Sequence, residues 1–241
     1  SASAGASAVN LTTITSGAIT DLNGGAVNVI GSTLTATAID GIDTDTSIAT
    51  LVASVTGTGA IDVDETDSMT VTSATTFLGN ISILANDGLT ATLVTASTGG
   101  VGNVDLTSVN GNVILGRVTA ALDRVDVTAG RQITDGLAGE GAAFANVTAT
   151  NLVLLSGSGV GVADNIDTTV TNLAAPGGTG AFNLVNNGAL FLGNAVPGSG
   201  GISSVDGVSA HGAITIVTAS PLTVNEAVAS DNDVTLTAGG E

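Results

Sequence analysis

The sequence predicts an all-β protein, a right-handed parallel β-helix (β-solenoid) of about 20–23 residues per coil. Three observations carry that expectation. A phrase of Gly, then Ala or Asn, then an aliphatic residue, any residue and a second aliphatic residue recurs along the chain. Successive phrases begin about one coil apart. Within each phrase apolar and polar side chains alternate, the period of a strand buried on one face.

Taken in order, Ser1-Ala2-Ser3-Ala4-Gly5-Ala6-Ser7-Ala8 is low-complexity and reads as an end or linker, residues 1–8. It has neither the positive start nor the apolar stretch of a signal peptide. Residues 9–241 read as a single solenoid. Gly17-Ala18-Ile19-Thr20-Asp21 and Thr33-Leu34-Thr35 supply early strand segments. The full phrase then appears as Gly59-Ala60-Ile61-Asp62-Val63, Gly79-Asn80-Ile81-Ser82-Ile83 and Gly102-Asn103-Val104-Asp105-Leu106. It returns as Gly180-Ala181-Phe182-Asn183-Leu184 and Gly212-Ala213-Ile214-Thr215-Ile216. A second strand follows each phrase, starting 8 residues after its first aliphatic or aromatic residue at Met69, Leu89, Leu190 and Leu222 and 9 residues after it at Val113. Between the two strands lie Asn86-Asp87-Gly88, Asn110-Gly111 and Asn187-Gly188, residues that accept positive φ or cap a turn with their own side chains.

Ile61 to Ile81 is 20 residues, Ile81 to Val104 is 23, Val104 to Val125 is 21 and Ile214 to Val234 is 20. A propeller blade needs about 40 residues and aromatic signatures, and a leucine-rich repeat its own consensus, so two or three short strands per coil fit best. About eleven coils at roughly 4.8 Å each predict a rod on the order of 50 Å long. A longer duplication overlies this period. Ile19 matches Ile133, Leu34 matches Leu152, Ile48–Leu51 matches Val170–Leu173 and Gly59–Val63 matches Gly180–Leu184, at offsets of 114 to 122. Residues 9–241 are thus read as two diverged blocks of about 120 residues.

With 3 Arg and Lys together against 21 Asp and Glu, the formal charge is −18, which repels phosphate backbones and anionic lipid heads. Nucleic acid is not expected as a partner. No run reaches the roughly 20 apolar residues of a membrane helix, so no membrane insertion is expected. The absence of Cys removes disulfides, thiol nucleophiles and Cys-ligated metals.

These residues resemble a family, the repeat region of filamentous-haemagglutinin-like bacterial exoproteins, which are large β-helical adhesins. The likeness rests on the Gly-Ala/Asn phrases, on Val127-Thr128-Ala129-Gly130-Arg131-Gln132-Ile133-Thr134-Asp135 and on Asp233-Val234-Thr235-Leu236-Thr237-Ala238-Gly239-Gly240. The resemblance implies a non-catalytic stalk or adhesive filament segment, extracellular or on the bacterial cell surface. Its implied partners are neighbouring repeats, other copies assembled into filaments, and a host, cell or matrix receptor. The family's secretion module, with its Asn-Pro-Asn-Leu signature, does not occur in the sequence. The chain is therefore expected to be an interior or late segment of something longer, and neither end offers the polar capping coil of a free solenoid.

The densest acidic stretch holds Asp40, Asp43 and Asp45, then Asp62, Asp64, Glu65 and Asp67. Carboxylates on adjacent coils could meet calcium, which wants six to eight oxygens, and Asp40, Asp43, Asp45, Asp62 and Asp64 are the metal candidates. The same alternation with Ile61 and Val63 also describes a solvated outer face, and no other cofactor is expected. A polysaccharide-acting β-helix enzyme would need two carboxylates across a sugar groove. Asp62 and Asp64 could be offered, but Trp and Tyr are absent and no catalytic residue is assigned. His211 is read as a solvated loop histidine. Arg117, Arg124 and Arg131, 7 residues apart, are expected to pair at the surface with Asp123, Asp126 and Asp135, or to offer an acidic glycan a site. Thr-x-Thr recurs, as at Thr70/Thr72, Thr90/Thr92 and Thr148/Thr150, which makes ice binding a second reading. The pairs do not fall at one fixed place in the coil, and β-propensity also explains them. Asn10, Asn80 and Asn146 satisfy the glycosylation sequon. Loops at Ala138–Ala145 and Ala174–Gly180 are expected to carry any recognition.

Overall fold

Ile61 and Val63 are fully buried while Asp62 between them is exposed, the burial pattern of a strand with one dry face. That alternation organises the chain. A computed structural model describes residues 2–3, 7–97, 100, 102–137, 144–193 and 207–240. Among them there is no helix, and parallel strands stack into a β-solenoid of about ten coils, close to the eleven expected.

On the first face Ile42, Ile61, Ile81, Val104, Val125, Leu152, Leu173 and Leu192 stand above one another, each strand pairing in register with its equivalent one coil on. The expected column of Ile61, Ile81, Val104 and Val125 is thus present. A second face carries Met69, Leu89, Val113, Ile133, Val160, Phe182, Ile214 and Val234 in the same manner. Its longer strands, such as Met69–Thr76 and Leu89–Thr95, continue around a bend marked by a register irregularity at Leu51/Val52. Near the carboxyl end Val208–Ala210 and Val228–Ser230 pair as a separate two-stranded sheet, forming a third face. The two main columns meet in one continuous apolar core. Each Ile or Leu in it contributes about 1.5–3 kcal/mol by leaving water.

Phe182 and Ile214 differ from the simple repeat. Their phrases look like those of Ile61 and Ile81, yet they extend the second face, while Leu190, Leu192 and Leu222 continue the first. The phrase encodes a strand leaving a tight corner, and both faces begin that way.

The glycine of the phrase serves close approach. A Cβ on Gly59 would lie 2.0 Å from the Asp40 carbonyl oxygen, and one on Gly79 would lie 2.1 Å from that of Gly59, with neither residue at positive φ. Of the expected turn glycines 88, 111 and 188, only Gly188 takes positive φ, at +130°. At Asn110 the second expectation holds, since its side-chain amide donates to the Asn86 carbonyl of the preceding coil at 3.0 Å. Polar ladders secure the corners. Asn103 N–H donates to Asn80 Oδ1 at 2.9 Å, Arg124 N–H to Asn103 Oδ1 at 3.3 Å, and Asn172 Nδ2 to Asn151 Oδ1 at 2.9 Å.

At the amino end Ala2–Ser3 pairs with Val29–Ile30 and Ala8–Thr12 with the Thr33–Ala38 strand. Residues 138–143 of the first expected recognition loop lie outside the described residues. In the second, Ala175 bridges to Val208, and Gly177 and Gly178 take positive φ.

Candidate functional site

Face one presents its alternate positions outward. Because strands Ile42–Ser47 and Ile61–Glu65 are in register, Asp43 stands beside Asp62 and Asp45 beside Asp64. The row then runs from Asp62 through Ser82 to Asp105 and Asp126. Four of the five metal candidates therefore form one acidic square. Asp40 sits apart, on a corner, where its Oδ2 accepts the Gly17 N–H at 2.7 Å.

Asp21, outside the dense acidic stretch of the sequence, joins this face from the preceding loop. Its Oδ1 accepts the Asn23 N–H at 2.7 Å and Asn28 Nδ2 at 3.0 Å, and these bonds hold its carboxyl below the usual range. Asn28 Oδ1 in turn accepts the Asp45 N–H at 2.7 Å. Burial, then the charge of Asp62, pushes Asp43 and Asp64 up; burial, then Asp21, pushes Asp45 up. Asp45 Oδ2 is covered and accepts no hydrogen bond. Among the described residues no three acidic or histidine side chains converge as a ligand set for one ion. The square is a ladder of repelling charges.

Glu65, part of the same acidic stretch in sequence, turns inward and is only 2% exposed. It accepts Thr46 Oγ1 and the Ile48 N–H, both at 2.8 Å, and the Asp67 N–H at 3.1 Å. Burial still raises its pKa against those bonds.

The three arginines do not form one site. Arg117 lies over the Phe144 ring, 4.7 Å from its centroid. Arg124 pairs with Asp126 on its own strand, and the pair is buried, contrary to the expected surface bridges. Burial pushes Asp126 up to about 6 against the pull of Arg124. Asp123 instead accepts the Gly102 N–H, and Asp135 accepts Asn146 Nδ2 at 2.6 Å. Asn146 is wholly buried and also holds the Leu115 carbonyl and the Asp167 N–H, so its sequon is structural.

His211 is a solvated loop histidine, as expected, and it faces a partner. Its Nδ1 lies 2.5 Å from Asp231 Oδ2 on the neighbouring coil, with both side chains about 70% exposed. Ser209, Ser230 and the pair line a hollow of about 240 Å³. A larger hollow of about 410 Å³ is lined by Thr95, Ser97, Thr119 and Leu122.

Past the bend of face two, Thr12, Thr37, Ser54, Thr75, Thr95, Thr119, Thr148 and Thr169 occupy one outward row, coil after coil. Thr33, Thr50, Thr70 and Thr90 make a second row. The Thr70/Thr72 and Thr90/Thr92 pairs are in step while Thr148/Thr150 lies on the other row, and single hydroxyls are in step along both rows. No family model, curated protein or solved structure matches the chain.

Proposed function

We propose that this chain is a stalk or adhesive filament segment of a bacterial secreted or cell-surface protein of the filamentous-haemagglutinin-like kind, acting mechanically. The observation that supports this most is the in-register stack of two apolar columns through about ten coils. Such a stack makes a rod whose stability is roughly a sum of neighbour interactions. Neighbouring repeats and further copies dock through sheet edges, and loops supply contacts to a receptor. Electron microscopy of the purified chain, with a glycan-degradation assay on the same sample, tests the reading. Rod-like particles that release no sugar agree with it, and compact particles that cleave a glycan overturn it.

A second reading is ice binding, favoured by the row from Thr12 to Thr169. Strand stacking spaces those hydroxyls by roughly 4.8 Å, a regular array able to order water. Measurement of ice-crystal shaping decides it. Shaping by the parent that is lost in Thr95→Tyr supports ice binding, and unshaped growth with the parent removes it.

A further inference from the structure

Three Asn-Gly steps occur, at Asn23-Gly24, Asn110-Gly111 and Asn187-Gly188. In such a step the glycine nitrogen, unhindered by a Cβ, can reach the asparagine side-chain carbonyl carbon. The fold treats the first two differently. At Asn110 the Gly111 N–H donates to the Ser108 hydroxyl at 3.1 Å, a group that is no base at neutral pH. Asn110 Nδ2 is fixed on Asn86 O at 3.0 Å and Asn86 Oδ1 at 3.2 Å. Gly111 is also tightly packed, since an added Cβ would lie 2.5 Å from Gly88 N.

Asn23 stands in an exposed loop where Gly24 and Gly25 take φ of +51° and +58° with open space around both. Asn28 Nδ2 donates to Asn23 Oδ1 at 2.8 Å, which draws electrons from the carbonyl and would hold an oxyanion there. Asp21 Oδ1 accepts the Asn23 N–H at 2.7 Å, one residue before the Gly24 nitrogen. A carbonyl, a donor at its oxygen and a carboxylate beside the attacking nitrogen are therefore gathered in one loop.

We propose that Asn23 is a self-modification site, a built-in succinimide-forming asparagine. The Gly24 nitrogen gives its proton to Asp21 and bonds to Asn23 Cγ, while the carbonyl electron pair moves onto Oδ1 under Asn28 Nδ2. Collapse of this adduct breaks the Cγ–Nδ2 bond, and the side-chain nitrogen leaves as ammonia with the proton returned from Asp21. Water then opens the succinimide to aspartate or isoaspartate at position 23. One water is consumed and one ammonia released, and no oxidant or reductant is needed. The product adds a negative charge beside Asp21 and Asp45, on the face that is already the most acidic. This inference stands apart from the stalk reading.

The test incubates the folded chain in mildly alkaline buffer and follows peptide masses and isoaspartyl-methyltransferase labelling. Position 23 should be modified several-fold faster than Asn110, and the two should react alike in guanidinium chloride. Asp21→Asn and Asn28→Ala should each slow the folded reaction several-fold and leave the denatured one unchanged. Gly24→Ala, in open space, should slow it in both states. An intact Asn23 beside a modified Asn110, or folded rates unchanged in both Asp21→Asn and Asn28→Ala, overturns the proposal.

Discussion

The consequences at single positions follow from which way each side chain points. Ile81→Asp places a carboxylate in a dry column and should cost several kcal/mol in denaturant melts. Ser82 faces out between Asp62 and Asp105, so Ser82→Asp should cost no more than about 1 kcal/mol through like-charge stacking. Ser82→Ala should be silent, and equal losses for Ile81→Asp and Ser82→Asp would contradict the alternation. Arg124→Ala leaves Asp126 buried without its partner and should destabilise by about 3–5 kcal/mol at pH 8. At pH 5 the loss should shrink, because Asp126, already raised to about 6 and raised further without Arg124, is then protonated. Two single-residue features that sequence reasoning missed were within reach of its own rules. Counting the alternation two residues beyond Val63 puts Glu65 inside, and adding one 20-residue period to His211 arrives at Asp231. The burial of Arg124 and Asp126 had no such signal, since their positions alternate as outward ones.

At the scale of strands and corners, the in-register stack depends on glycines that let coils touch. Gly79→Val should destabilise by several kcal/mol, because even a Cβ meets the Gly59 carbonyl at 2.1 Å and backbone cannot yield cheaply. Gly25→Ala, with nothing near it, should lose only the strain of a left-handed residue, about 1–2 kcal/mol. Thermal melts of the two variants separate close approach from backbone strain. The strands themselves were legible because a period of two is local, visible in any five residues. Which face a strand joins was not legible, since it depends on how many residues the preceding corners consume. Phe182 and Ile214 show this, carrying the phrase of Ile61 onto the other column.

For the whole molecule, charge and fold pull against each other. Asp43, Asp45, Asp64, Glu65, Asp105, Asp126 and Asp167 all have raised pKa values, mainly through burial, while Asp21 is lowered. A raised carboxylate binds its proton more tightly folded than unfolded, so its ionisation weakens the fold as pH rises from about 4 through its folded pKa. Asp21 works in the opposite sense, stabilising above its unfolded pKa. Asp126, pushed up to about 6, predicts a higher Tm at pH 5 than at pH 8, and a scan showing the reverse would contradict its burial. Calcium and magnesium should raise Tm alike and modestly by screening −18 charges. A saturable calcium-specific rise, abolished by Asp45→Asn with Asp64→Asn, would instead mark an ion site on the acidic square. The columns that make the rod also determine how it fails under load. Tension applied to the two chain ends should peel one coil at a time from the stack. Coils run from 17 residues, Leu34 to Leu51, to 32, Phe182 to Ile214, and drawn straight they lengthen the chain by roughly 60 to 110 Å each, so pulling it apart should give a train of small steps and dissipate energy the way a shock absorber does.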